Sequence, residues 1–111
     1  MTELHELQCE ACKMGAQKIS DDETHTLLQK IPEWEIITQG DIKQLERVFS
    51  FKNFKMAWVF TDKVAALAEE AFHHPEITLE WGKVTVRWWS HAVQGLHKND
   101  FICAAKTDQL Q

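Results

Sequence analysis

The chain has 111 residues, 44% of them apolar, with five tryptophans and a net charge of −5. That length holds one domain with a modest core. The acidic balance argues against nucleic-acid binding by electrostatics, because phosphate contacts need a basic face. No run of about 18 apolar residues occurs, so no membrane span is expected. The opening MTELHELQCEACK is acidic and lacks an apolar segment. It does not read as a secretory signal, and the cytoplasm is the expected location. Three cysteines, an odd count, fit reduced thiols better than a disulfide framework.

In chain order, residues 1–19 read as a polar N-terminal arm and 20–111 as a single domain. The arm carries Cys9-x-x-Cys12. A zinc site usually needs four ligands. Only His5 lies near, and Cys103 is far along the chain, so the ligand count falls short. Ser20-x-x-Glu23 is a capping box, with Asp21 and Asp22 adding negative charge to a first helical turn. Leu27, Leu28 and Ile31 give that helix an apolar stripe, and Pro32 ends it. Trp34 to Thr38 reads as a strand, Gly40-Asp41 as a turn, and Ile42 to Phe51 as a second strand. Leu45, Phe49 and Phe51 share one face of it, and Arg47 interrupts their alternation.

Asn53 is the expected N-cap of a long helix ending near Phe72. Ala57, Phe60, Val64, Leu67, Ala68 and Ala71 recur at helical spacing and should face the core. Trp58 lies off that stripe, which suits an exposed or interface position. Ile77 to Trp81 and Lys83 to Trp89 read as strands about Gly82, in a tight hairpin. A last helix begins near Lys98, with Asp100 in its first turn. The order α-β-β-α-β-β-α, with short connections, predicts an α+β fold. Its centre is a small antiparallel four-stranded sheet with helices packed on one face. Open sheet edges of this kind often pair with another subunit.

Most of the chemistry lies between Glu69 and Asp100, a stretch holding four of the six histidines. Proline restrains the residue before it to extended geometry, so His73-His74-Pro75 should sit at a helix-to-strand corner. Glu69, four residues before His73, would share its face if the helix reached that far, and its carboxylate would orient the imidazole. His91 follows the strand-like run and Ser90. Imidazole is the side chain whose ordinary pKa lies nearest neutrality, so three in one place suit proton transfer or metal binding. A metal site is the poorer fit, because adjacent histidines lack helical ligand spacing. From residues alone the reading stops at a candidate histidine acid/base cleft. Surface roles for His73 and His74, and a helix first-turn role for Asp100, stand beside it.

The combined pattern Glu69-x-x-x-His73-His74-Pro75, Trp81-x-x-Val84, Ser90-His91, Gly95-Leu96 and Asp100 resembles the pterin-4a-carbinolamine dehydratase family over roughly residues 20–108. The CEAC segment, ERVF-x-FKNF and WGKVTV-x-WWSH make it most similar to bacterial members that accompany phenylalanine hydroxylase. The resemblance implies homodimers or homotetramers joined edge to edge. It also implies dehydration of 4a-hydroxytetrahydrobiopterin to the quinonoid dihydropterin, with no metal and no cofactor of the enzyme's own. By position, His73 and His91 would be acid/base residues and His74 mainly a pterin-positioning one. Glu69 and Asp100 would orient them. The backbone around Pro75 and along the run Ser90, His91, Ala92 and Val93 would line the pterin site. The implied partners are the pterin and, in the bacterial type, phenylalanine hydroxylase. Ile77 departs from the aromatic residue that many animal members carry there. Animal relatives also act as a dimerisation cofactor of a transcription factor, so a regulatory binding module is the alternative reading.

Overall fold

A computed structural model describes residues 4–6 and 19–111. The elements are a 3-10 turn (Leu4–Glu6), α1 (Asp21–Leu28), β1 (Glu35–Gln39), β2 (Ile42–Ser50), α2 (Phe54–Ala71), β3 (Glu76–Glu80), β4 (Lys83–Trp88) and α3 (Lys98–Asp108). Cys9 and Cys12 lie outside the described residues.

Local chemistry explains most of the boundaries. Ser20 Oγ accepts from the backbone N–H of Glu23 and caps α1, and Asn53 caps α2 through Met56 N–H. Gly40 (φ 53°) and Asp41 (φ 69°) are both left-handed, as a two-residue type I′ hairpin requires. The β3–β4 connection differs from the expected single-residue spacing. Glu80 pairs with Lys83 across a two-residue turn, Trp81-Gly82, so Trp81 is a turn residue, 70% exposed. Gly82 allows close approach there, since a Cβ would stand a tight 3.1 Å from the Phe51 carbonyl oxygen.

The strands form one antiparallel sheet in the order β1-β2-β4-β3, with β1 and β3 at the edges. Leu45, Phe49, Val84, Val86 and Trp88 point to the helix side and are buried. Arg47 shares their parity because its guanidinium escapes to the rim. It lies 4.3 Å over the Phe49 ring and donates to Asp108 Oδ1 at 2.6 Å, beside the Trp34 indole N–H at 2.9 Å. On the opposite face Arg87 bridges Glu46 and Glu76 across three strands. Its hydrogen bond to Glu46, against a smaller desolvation effect, holds its pKa above the ordinary arginine value.

The stripe of α2 meets the sheet through Ala57, Phe60, Val64 and Ala68, with Phe60 4.6 Å from Phe49. Most of α3 is buried, from Asn99 to Ala105 and at Thr107. Such all-round burial needs cover on every side. The helix packs on α2, β2, β4 and the Leu4–Glu6 turn, and Leu4 is itself buried. Residues Leu4–Glu6 of the expected polar arm therefore pack on α3.

Candidate active site

The site begins where α2 stops. Phe72 adopts a left-handed conformation (φ 54°). The N–H of Phe72 donates to Glu69 O, and that of His73 donates to Ala68 O at 3.2 Å. These are the two bonds of a Schellman closure. The reversal turns His73 inward, where it is 3% exposed, and leaves Phe72 outside at 77%. It also corrects the expected pairing of Glu69 with His73. The helix ends too early for the two to share a face. Glu69 Oε2 instead accepts from His74 Nε2 at 2.6 Å, both side chains exposed.

The buried His73 finds its partner on α3. Its Nε2 lies 2.6 Å from Asp100 Oδ1. A carboxylate only accepts, so Nε2 carries the proton. Asp100 Oδ2 accepts from Ser90 Oγ–H at 2.9 Å and from His97 N–H at 2.8 Å. Three donors converge on a carboxylate with no solvent exposure, which offsets the desolvation of so polar a group. The His97 contact is half of a capping box, completed by the Asp100 backbone N–H facing the His97 side chain; the His97 ring also accepts from Asn99 N–H. Asp100 is thus a helix-capping acid and a histidine partner at once. The His73 ring also stacks on Trp88, with centroids 5.5 Å apart and planes at 17°.

Ser90 and Gly95 bond to each other through both backbone groups and close a tight loop. His91 and Ala92 are exposed on it and Val93 is half-buried. The His91 ring rests against Trp89, with centroids 4.7 Å apart. The structure therefore joins His73, Ser90, Asp100 and the His97 backbone in one hydrogen-bonded cluster. His74 with Glu69, an exposed pair, and exposed His91 with half-buried Trp89 lie next to it in the chain. The Ser90 side chain is buried and its hydroxyl donates to Asp100. Trp88, the last residue of β4, also backs His73. Among the described residues, no cluster of three or more His, Cys, Asp or Glu side chains is arranged to hold a metal ion.

A four-stranded antiparallel sheet with three helices makes this a small α+β protein, with a buried His–Asp pair and exposed imidazoles next to it in the chain. Residues 17–110 match the family model described as pterin 4 alpha carbinolamine dehydratase, and the chain belongs to that family. A provisionally named pterin-4-alpha-carbinolamine dehydratase of Photobacterium profundum is 64% identical over 109 residues, covering 98% of this chain and 97% of its own. Among solved structures, a transcriptional coactivator/pterin dehydratase from Brucella melitensis superposes with a TM-score of 0.75 at 26% identity, over 84% of this chain and 97% of that one. A pterin dehydratase-like protein described as a RuBisCO assembly factor of the alpha-carboxysome gives 0.60 at 28% identity, over 70% and 88%.

Proposed function

We propose that the protein dehydrates 4a-hydroxytetrahydrobiopterin to the quinonoid dihydropterin by histidine acid/base catalysis. The observation that carries this is the His73–Asp100 pair at 2.6 Å, with exposed His74 next to His73 in the chain and exposed His91 next to Ser90, which also bonds Asp100, in a chain of the dehydratase family. In the reaction the C4a–O bond breaks and the hydroxyl leaves as water after receiving a proton. A ring nitrogen gives up its proton as its lone pair forms the C=N bond. The steps balance with no redox change and no covalent intermediate. A positioned imidazole contributes typically about 10²–10⁴-fold to such a transfer.

In this reading His73 and His91 exchange the protons, and His74, braced by Glu69, holds the pterin. Pro75, Ala92 and Val93 provide its walls. Asp100 orients His73, and Ser90 acts through Asp100 more than on the substrate. At 2% side-chain exposure, His73 presents no more than a ring edge, so its step takes place away from bulk water. The cell would use the reaction to recycle the pterin cofactor of phenylalanine hydroxylase in the cytoplasm. The protein would work as a homodimer or homotetramer, with the hydroxylase a candidate partner.

A binding or regulatory role is the second reading. It is favoured by the exposed Phe54, Met56, Trp58 and Val59 on α2 and by the coactivator and assembly-factor descriptions of two relatives. The deciding experiment is an assay on freshly generated 4a-hydroxytetrahydrobiopterin. Dehydration well above the spontaneous rate is expected. A folded protein that leaves that rate unchanged would overturn the enzymatic reading and leave the binding one.

A further inference from the structure

We infer that the tandem tryptophans Trp88 and Trp89 are positioning residues, each fixing the ring of a different proton-transfer histidine. The inference rests on the dehydratase reading of the site. Successive residues of an extended segment point to opposite sides. Burial follows that rule here: Trp88 is fully buried, Trp89 half-buried, Ser90 buried and His91 exposed. Two adjacent indoles therefore lie on opposite sides of the chain as it leaves β4. Trp88 stacks on His73 with planes at 17°, and Trp89 lies tilted at 49° against His91.

The two are held differently. The Trp88 indole N–H donates to Thr107 Oγ1 at 3.1 Å, and the Thr107 hydroxyl donates to Cys103 O at 2.7 Å. Those bonds fix the plane on which His73 lies. Asp100 and Thr107 are seven residues apart on α3, two turns along one face. One helix thus holds His73 twice: Asp100 at its Nε2 and Thr107 through the indole at its ring face. Trp89 has no such anchor among the described residues. Its hold on His91 is the ring packing itself, on a loop closed by the Ser90–Gly95 backbone bonds and by turn bonds from Val93 N–H to Ser90 O and from Gln94 N–H to His91 O. A fixed imidazole backed from the core and a second one resting on a surface indole can be adjusted separately.

The test reads ring position and catalysis in the same variants. Trp89→Leu removes the aromatic face while keeping an apolar side chain; Trp89→Phe restores a face. Trp88→Phe shortens the stack, and Thr107→Val cuts the Trp88 anchor without touching either ring. Histidine ring-proton resonances report packing whether or not the protein is active, since an aromatic neighbour shifts them. Trp89→Leu is expected to move the His91 resonances and leave those of His73. It should lower kcat about 2- to 10-fold, the range of one aromatic contact, with KM little changed. Trp89→Phe should recover most of the loss. Trp88→Phe and Thr107→Val should move the His73 resonances alone. The inference fails if His91 resonances stay put in Trp89→Leu, if Phe and Leu at 89 behave alike, or if only KM changes. A wild-type protein inactive on the carbinolamine would overturn the dehydratase reading, while the resonances would still decide whether each indole holds its own histidine.

Discussion

Asp100 closes the capping box of α3 with one carboxylate oxygen and holds His73 with the other. The group that starts the helix is the group that orients the imidazole, so helix stability and ring position are coupled. Asp100→Asn tests this. The amide can still accept from His73, but its NH₂ would then face Ser90 Oγ and the His97 N–H. Leaving a buried donor without an acceptor costs about 1–3 kcal/mol. The expected outcome is a lower melting temperature together with a kcat reduced by up to about 10²-fold, the effect of a misplaced group of roughly 1 Å. A stability loss without a kcat loss would assign Asp100 to capping alone.

The exposed face of α2 carries Phe54, Met56, Trp58 and Val59, each 45–52% exposed. Phe54 and Trp58 pair at i,i+4 spacing and Met56 and Val59 at i,i+3, and exposed apolar side chains grouped on one helix suit an interaction site. Light scattering should give a mass at least twice the 12.9 kDa of one chain, and Trp58→Glu should reduce it. If the wild-type protein is monomeric at micromolar concentration, the expectation of an oligomer is wrong. If the mass is high and unmoved by Trp58→Glu, association runs through the open edges of β1 and β3.

Leu4 is buried against α3, the helix that carries Asp100. Burying a leucine contributes about 1.5–3 kcal/mol. Deleting residues 1–17 should therefore lower the melting temperature, by about 4–8 °C for each kcal/mol lost in a domain near this size. Assayed well below that temperature, activity should stay within a few-fold, because the catalytic proposal uses nothing before Glu69. A large loss of activity in a folded deletion would give the N-terminal segment a part in the site.

The fold is legible in the sequence because its punctuation is local. Ser20 and Asn53 are strong caps, Gly40-Asp41 is a turn pair, and the apolar period of α2 is unbroken. Trp81 reads as strand because an aromatic beside alternating residues looks like one; only the Glu80–Lys83 register makes it a turn. The site is less legible for a physical reason. Which carboxylate meets which histidine depends on Phe72, a non-glycine residue at positive φ, and no sequence signal marks that reversal. His73 and Asp100 are 27 residues apart, and only packing of α3 against the end of α2 brings them together. The role of Trp88 is hidden in the same way: alternation places it in the core, but not against a particular imidazole.

The histidine series bears on the functional proposal directly. Removing a proton-transfer group lowers kcat, whereas removing a contact that only holds the substrate chiefly raises KM. His91→Ala should lose up to about 10²–10⁴-fold in kcat if it alone serves its step. The loss should be smaller if His73 and His91 can substitute for each other on opposite carbinolamine epimers. His74→Ala should act mainly on KM. His73 needs a more careful substitution, because alanine would strip a donor from the fully buried Asp100 and destabilise the site. His73→Gln keeps an N–H for Asp100 yet cannot carry a proton, so it separates chemistry from folding. It should melt closer to the wild type than His73→Ala while losing a comparable share of kcat. The His73→Gln/His91→Ala double variant should fall well below either single one. Near-UV circular dichroism of the tryptophans checks that each variant is folded. A folded double variant with wild-type kcat would remove the histidines from the mechanism.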